Sequence, residues 1–193
     1  MIFASNNKGK IKEIKEIFKG YEIQSLADAG IDIDVVEDGK TAYENAHKKA
    51  KTIFELTGIP TMADDSGLIF TELGDWPGVN TKRIASNYDF DEHERNRMLI
   101  EKGKELNNKE IQAVCCLVYI DKDNEIEATG KMIGTIATEE HDGNGFGFDR
   151  VFILPDGRYV SELTPEEKNK ISHRANASRL MKEKLDKIKK ISS

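Results

Sequence analysis

Cysteine is almost missing from this sequence: its 193 residues hold two, Cys115 and Cys116, side by side in a strand-like run. Such a pair is poorly placed for a mutual disulfide and too small for a structural zinc site, so a reducing cytoplasm is the simplest home. Long apolar runs are missing too, and none approaches the length of a membrane span. The opening Met1-Ile2-Phe3-Ala4-Ser5 lacks the charged and apolar regions of a signal peptide. An excess of positive charge is also missing. The formal net charge is −6, which excludes a general nucleic-acid binder with a broad basic surface, though not a local basic pocket for a small anion. There is no internal repeat and no Pro- or Ser-rich linker, so the chain reads as one domain over 1–193, at most with two lobes. What is present is enough apolar material for a core, 38%, and a heavily charged remainder, 33%.

Three standard ligand signatures are absent. Ser5-Asn6-Asn7-Lys8-Gly9-Lys10 leads from a short apolar strand, Met1–Ala4, into a helix with Ile11, Ile14, Ile17 and Phe18, a geometry that gathers backbone N–H groups around an anion. It lacks the Walker spacing, and Asn-capping of an ordinary helix reads equally well. Residues 139–150 are rich in glycine but show no dinucleotide fingerprint. Asp121-Lys122-Asp123-Asn124 starts like an EF-hand, yet Ile126 stands at its sixth position, where glycine is required.

The stretch that organises the chain is Thr61-Met62-Ala63-Asp64-Asp65-Ser66-Gly67. An apolar strand is expected to end abruptly in two carboxylates and a flexible glycine, before a second apolar run begins at Ile69. Successive residues of an extended chain point to opposite faces, so Asp64 and Asp65 are expected to do different jobs. The group suits a divalent cation and its bound water; as Asp, Ser and Gly it equally suits a polar turn.

Around it, Tyr21–Leu26 reads as a second strand. Thr41 and Glu44 form a capping box for a helix ending near Gly58, on which Lys48, Lys49 and Lys51 read as a solvated face. The only Trp, Trp76, lies on a loop. Asp89 or Asp91 caps a charged helix to about Leu106, whose sparse apolar residues predict a surface position. Gln112–Ile120 and Glu125–Thr138 form an antiparallel hairpin. Phe146 and Phe148 lie among glycines, where an exposed ring can stack on a base or fill the core. Val151–Leu154, the turn Asp156-Gly157 and Arg158–Leu163 read as a second hairpin. Thr164-Pro165-Glu166-Glu167 starts a long helix that carries Lys168, Ser172, His173 and Arg174. Strands alternating with helices early and forming hairpins late predict a mixed α/β sheet.

Taken in order, five stretches resemble the inosine/xanthosine triphosphate pyrophosphatases, the house-cleaning hydrolases of non-standard purine nucleotides. Ser5, Asn7, Lys10 and Glu13 are similar to the family's Ser/Thr-x-Asn-x-x-Lys-x-x-Glu. Glu37-Asp38-Gly39 with Tyr43-Glu44-Asn45-Ala46 and Lys49-Ala50 looks like its acidic loop and helix. Ala63-Asp64-Asp65-Ser66-Gly67, Phe146-Gly147-Phe148-Asp149, and Glu167-Lys168 with Ser172-His173-Arg174 look like its remaining motifs. Asn6 stands where Gly is common, Phe148 where Tyr or Trp is common and Arg150 where Pro is frequent. The resemblance implies an elongated mixed β-sheet flanked by helices, two lobes around a central substrate cleft, and a homodimer. It implies that Ser5, Asn7, Lys10 and Lys49 meet the triphosphate. Glu37 and Asp65 would hold Mg²⁺, with Asp38 an alternative to Glu37, and Asp65 would be the catalytic proton acceptor. Ser66 would touch substrate, and Phe146, Gly147, Phe148, Asp149, Lys168, His173 and Arg174 would form the nucleobase end.

Elementary electrostatics agrees with that expectation. An acidic protein that handles a compact polyanion needs lysines focused at one site and a metal, and Mg²⁺ is satisfied by one or two carboxylates plus phosphate oxygens and water. Two other functions stay open on the sequence: a related pyrophosphatase for pyrimidine or methylated nucleotides, and a nucleotide-binding regulator without catalysis.

Overall fold

A computed structural model describes residues 1–84 and 91–191. Strands β1 (Ile2–Phe3), β2 (Gln24–Ser25), β3 (Thr61–Phe70), β4 (Pro77–Gly78), β5 (Glu110–Ile120), β6 (Glu125–Ile136) and β7 (Phe152–Ile153) form one sheet in the order β2-β1-β3-β5-β6-β7, with β4 also on β3. The pairs of β1 are parallel and the others antiparallel. Helices α1 (Lys8–Ile17), α2 (Ala42–Thr57), α3 (Glu92–Glu105), α4 (Pro165–Ile171) and α5 (His173–Ile191) flank it. The expected mixed α/β sheet with flanking helices is present.

The core divides along the length of the sheet. At one end α1 and α5 cover one face through Phe3, Ile14, Phe18, Met62, Cys115 and Met181. There α2 covers the other face through Ile2, Ala46, Ala50, Ile53, Ala63 and Cys116. At the far end Leu68, Phe70, Leu99, Ile111, Ile136 and Phe152 form a separate cluster. Adjacent Cys115 and Cys116 therefore belong to opposite faces, and both are free thiols.

Several elements differ from the sequence expectation. The Asp64–Gly67 segment is neither a strand end nor a turn. All ten residues of β3 pair with β5, with Asp64 opposite Leu117 and Asp65 opposite Cys116. Cross-strand pairing on both sides of the polar group outweighs the turn preference of its residues. The strand at 21–26 shrinks to Gln24–Ser25. The return strand at 158–163 is a single bridge from Tyr159 to Ile153 and a 3₁₀ turn at Val160–Glu162, where the Glu162 carboxylate accepts from Tyr159 N at 2.6 Å. The capping box at α2 is half made: Thr41 Oγ1 accepts from Glu44 N at 3.1 Å, but the Glu44 carboxylate turns to Lys40 N at 2.7 Å.

The C-terminal helix breaks at Ser172, whose backbone is extended at φ −65 and ψ 154. Its hydroxyl accepts from Ala175 N at 3.1 Å and starts α5 as a new helix. Gly130 of β6 lets this start lie directly on the sheet, because a Cβ there would stand 2.2 Å from His173 O. Asp91 is the cap of α3, accepting from His93 N at 2.9 Å; Asp89 lies outside the described residues. The α3 helix is less superficial than its composition suggests. Met98 is exposed, but Arg95, Asn96, Leu99 and Ile100 are buried.

Candidate functional site

The apolar core is interrupted where β3 passes from one lobe to the other, at Asp64, Asp65, Ser66 and Gly67. A cleft of about 460 Å³ opens there, and every site residue expected from the sequence lines it, from Ser5 to Arg174.

At one end lies the start of α1. Asn7 caps it, accepting from Lys10 N at 3.1 Å, and Ser5 Oγ accepts from Asn7 N at 3.1 Å. No acidic residue occupies its first turn, so its positive end faces the cleft uncompensated by a carboxylate. Lys10 crosses to Asp64 at 3.0 Å.

The two aspartates of β3 do face opposite ways. Asp64, 1% exposed, looks toward α1 and α5 and takes Lys10 and, at 3.3 Å, Arg174 Nε. Burial would raise its pKa, but Lys10 and Arg174 hold it well below the usual carboxylate range. Asp65 looks toward α2. Asn45 Nδ2 donates to it at 2.9 Å and Ser66 N at 2.9 Å. Burial raises the Asp65 pKa; Asn45 and Lys49 oppose this and the charges of Glu37 and Asp64 add to it.

One face of α2 serves both carboxylates expected at the metal. Lys49 bonds the Glu37 carboxylate and the Asp64 carbonyl. One turn earlier, Asn45 holds Asp65 and accepts from Gly39 N at 2.7 Å, which ties down the acidic loop. Burial acts to raise Glu37 as well, but Lys49 outweighs it and keeps it ionised below the usual value. Asp38, the alternative to Glu37, is exposed, pairs with Lys48 at 2.7 Å and does not line the cleft. Among the described residues no group of three or more His, Cys, Asp or Glu is placed to hold a metal ion. Glu37 and Asp65 fit the smaller share of ligands that Mg²⁺ takes when phosphates and water complete its shell. The raised pKa of Asp65, a buried anion that also feels the charges of Glu37 and Asp64, is an electrostatic cost that a bound cation would relieve.

The other end is built from the loop before β7 and from α4 and α5. Phe146 and Phe148 are both half-buried, and Phe148 packs against the far-end core cluster beside Phe152. Phe148 stands 5.7 Å from the His173 ring. Asp149 is buried and its Oδ2 accepts from Phe146 N at 2.9 Å and Lys168 Nζ at 2.6 Å. Burial raises its pKa against the pull of Lys168. Lys168 Nζ lies 4.4 Å over the Phe146 ring, a cation–π distance. Burial, with Arg174 and Lys168 next to it, pushes the His173 pKa well down, so the imidazole is neutral. Arg174 lines the cleft, but its donors go to Asp64, to Glu13 at 2.6 Å and to Ser66 Oγ at 3.3 Å.

Sequence reasoning assigned no role to Asn45 or Glu13, although both stand inside quoted motifs. It also missed Glu92 and Arg95 of α3, which line the cleft. Glu92 accepts from Gly147 N at 3.2 Å, and Asn96 donates to Gly147 O at 3.1 Å. A helix so charged carries no local signal that one face is buried.

A sequence model of the Ham1 family matches residues 1–184. The chain belongs to that family. Ham1-family similarity extends to named relatives. A dITP/XTP pyrophosphatase of Clostridium perfringens is 41% identical, with 98% of each chain covered. That of Bacillus subtilis is 38% identical, with 96% of each covered. Among solved structures, the Staphylococcus aureus Ham1 protein matches with a TM-score of 0.86 at 32% identity, over 96% of this chain and 97% of that one. A HAM1 protein from Coxiella burnetii also matches with a TM-score of 0.86, at 31% identity over 96% of this chain and 98% of that one. The fold and the cleft described above are thus those of a Ham1-family protein.

Proposed function

We infer that this Ham1-family chain is a nucleoside triphosphate pyrophosphatase that hydrolyses inosine, deoxyinosine and xanthosine triphosphates to the monophosphate and pyrophosphate. The observation that carries this is the single cleft joining an anion-binding helix start and two carboxylates to an aromatic pocket with a buried Lys168–Asp149 pair. Hypoxanthine and xanthine present a keto oxygen at position 6 beside a protonated N1. Lys168 can only donate and ionised Asp149 can only accept, so the pair complements that edge. Adenine presents a donor at position 6 and an acceptor at N1, and meets like with like at both. A site of this kind can reject the wrong partner by roughly 10⁴.

The rest of the cleft handles the phosphates. Ser5, Asn7, Lys10 and Lys49 gather them, Phe146 and Phe148 stack on the base, and His173 contributes a neutral ring beside Phe148. Glu37 and Asp65 would hold Mg²⁺, which when bound supplies charge neutralisation to the triphosphate. Asp65 takes the proton of the water that attacks the α-phosphorus. Its bonds from Asn45 and Ser66 fix its orientation. Ser66 Oγ accepts from Arg174 at 3.3 Å and donates to Asp64 at 3.3 Å, and Ser66 lines the cleft where substrate would touch it. Arg174, with its donors committed to Asp64, Glu13 and Ser66, acts on orientation more than on the base.

The same reading makes the enzyme a homodimer working in the cytoplasm. Trp76 and Met98, both exposed, are apolar surface that a second chain could cover, and a solution mass of two chains checks it. Among the described residues no helix is long and apolar enough to cross a membrane. The test of the function is a panel of inosine, xanthosine, guanosine and adenosine triphosphates and their deoxy forms, scored by released pyrophosphate in Mg²⁺. Inosine and xanthosine triphosphates are expected to lead, and adenosine triphosphate to trail. Tight binding without turnover would instead favour a regulator.

A further inference from the structure

Two cations line the cleft that no sequence motif marks. Lys82 and Arg83 are consecutive and exposed, and they share its wall with Glu37, Asp65 and Ser66. What places them there is a short arm after β4, clamped onto β3. Gly67 follows Ser66 directly, and a Cβ on it would stand 2.2 Å from Gly78 O, so only a glycine admits the arm this close. Thr81 is buried, and its Oγ1 accepts from Leu68 N at 2.8 Å and donates to Gly78 O at 2.6 Å. Asn80 O accepts from Arg83 N at 2.7 Å and from Ile84 N at 3.1 Å. The backbone that carries the two cations is thus fixed to β3 just beyond Ser66, while their side chains line the cleft.

Their charges act on Glu37 and Asp38, in the acidic loop that Asn45 of α2 ties down, rather than on the base loop. The cations nearer the base are held by carboxylates of the fold: Lys10 by Asp64, Lys168 by Asp149, and Arg174 by Glu13 and Asp64. A triphosphate is a polyanion whose outer phosphates need positive charge beyond the site of attack. The planar guanidinium of arginine matches two phosphate oxygens at once, and lysine adds a point charge. In the hydrolysis inferred above, the water oxygen bonds to the α-phosphorus and its proton passes to Asp65. The bond from the α-phosphorus to the bridging oxygen breaks, and that oxygen keeps the electron pair and leaves on pyrophosphate. Negative charge therefore grows on the leaving side, and donors placed there accelerate the step.

We propose that Lys82 and Arg83 bind the β- and γ-phosphates and stabilise the pyrophosphate as it leaves. This rests on the pyrophosphatase activity inferred above and is independent of which base is preferred. The same contacts hold the product, so pyrophosphate inhibits through them. The competing role for the pair is to neutralise the acidic loop without touching the phosphates.

The experiment measures kcat and KM for inosine triphosphate, and inhibition by pyrophosphate and by inosine monophosphate, at saturating Mg²⁺. It compares wild type, Lys82→Ala, Arg83→Ala and the double variant. The double variant is expected to lower kcat/KM by about tenfold or more and to raise the inhibition constant of pyrophosphate by a similar factor, because hydrogen bonds to charged groups are the strong ones. Inhibition by inosine monophosphate, which lacks these phosphates, is expected to change by less than about twofold. The thermal midpoint without ligand should hold, since both side chains are exposed. If the double variant does not fold, the single variants decide by the same comparison. Pyrophosphate inhibition that is absent in an active wild type, unchanged in the variants, or weakened equally with that of the monophosphate would overturn the proposal. A wild type that releases no pyrophosphate defeats the functional reading itself, and is seen before any variant is made.

Discussion

The two ends of the cleft handle charge differently. Around Lys168 the ionised groups neutralise one another: Lys168 is shared by Glu13 and Asp149, and Arg174 by Glu13 and Asp64. On the α2 side Lys49 bonds Glu37 and the Asp64 carbonyl, Lys10 and Lys82 also act on Glu37, and Asp65 alone is left with a raised pKa. Burial works against the Lys49 charge, and Asp64 and Glu37 overcome it and hold its pKa above the ordinary lysine value. A self-neutral pocket suits an uncharged base, which it can read by donor and acceptor pattern alone. A carboxylate pair in which Asp65 stays above its ordinary pKa suits a cation that arrives with the phosphates. Adjacent Asp64 and Asp65 divide along this line, one held down by cations and one pushed up by burial.

The largest test of this contrast is Asp64→Asn. It takes one of the two carboxylates from buried Arg174, which keeps Glu13, and leaves partly exposed Lys10 beside a neutral group; breaking a buried ion pair from one side costs about 3–5 kcal/mol, and a loss toward the lower figure is expected. Urea unfolding should show the loss, and an unchanged midpoint would mean that the Asp64 ion pairs are not what holds this region. Asp65→Asn should do the reverse. The protein folds, but turnover falls by a factor of about 10² or more with the proton acceptor gone. Near-normal turnover of a folded Asp65→Asn protein would remove Asp65 from its assigned role.

A smaller effect is expected for Lys10→Ala. By position alone, a lysine at a helix start should be neutral or unfavourable without an anion. The bond to Asp64 changes that expectation, since hydrogen bonds to charged groups contribute about 1.5–3 kcal/mol. Lys10 is 20% exposed and Asp64 keeps Arg174, so a loss near the lower figure is expected, with a larger loss in triphosphate hydrolysis. Kinetics left intact by the substitution would assign Lys10 to stability alone.

The smallest effects lie in pH dependence, and their signs are opposite. Asp64 has a lowered folded pKa. Its contribution is present above the ordinary value of 3.8 and is lost as pH falls from there through the folded value. Asp65 has a raised folded pKa. Its contribution is present below 3.8 and is lost as pH rises through the folded value. On acidification, wild type should therefore gain stability relative to Asp65→Asn just above pH 3.8, and lose it relative to Asp64→Asn below that pH. Parallel curves for the two comparisons would mean that the two carboxylates share one environment.

Much of this was legible in the sequence. The alternation of an extended chain already separated Asp64 from Asp65, and β3 placed them on opposite faces. Asn7 as a cap, the Thr164 start of α4 and the β5–β6 hairpin followed from local chemistry. The polar Asp64–Gly67 group was misread as a strand end because turn preference is local, whereas the ladder to β5 joins residues about fifty positions apart. The helix that carries Arg95 and Asn96 was read as superficial because no local pattern marks a buried polar face. Ser172 was read as mid-helix because only the packing of α5 on Gly130 shows where the new helix must start.

By itself, the sequence determined which chemical groups the protein has and which short-range elements carry them: capped helices, alternating strands, two carboxylates in a row, and an aromatic loop among glycines. The tertiary structure alone decided their partners. Glu13 meets Lys168 and Arg174 across more than 150 residues of chain. Asn45 reaches Asp65, and Asp64 takes Lys10 and Arg174 while Asp65 does not. The reason is that a side chain's type and face follow from neighbours a few residues away, whereas a buried charge must be matched in space by whatever the fold brings beside it.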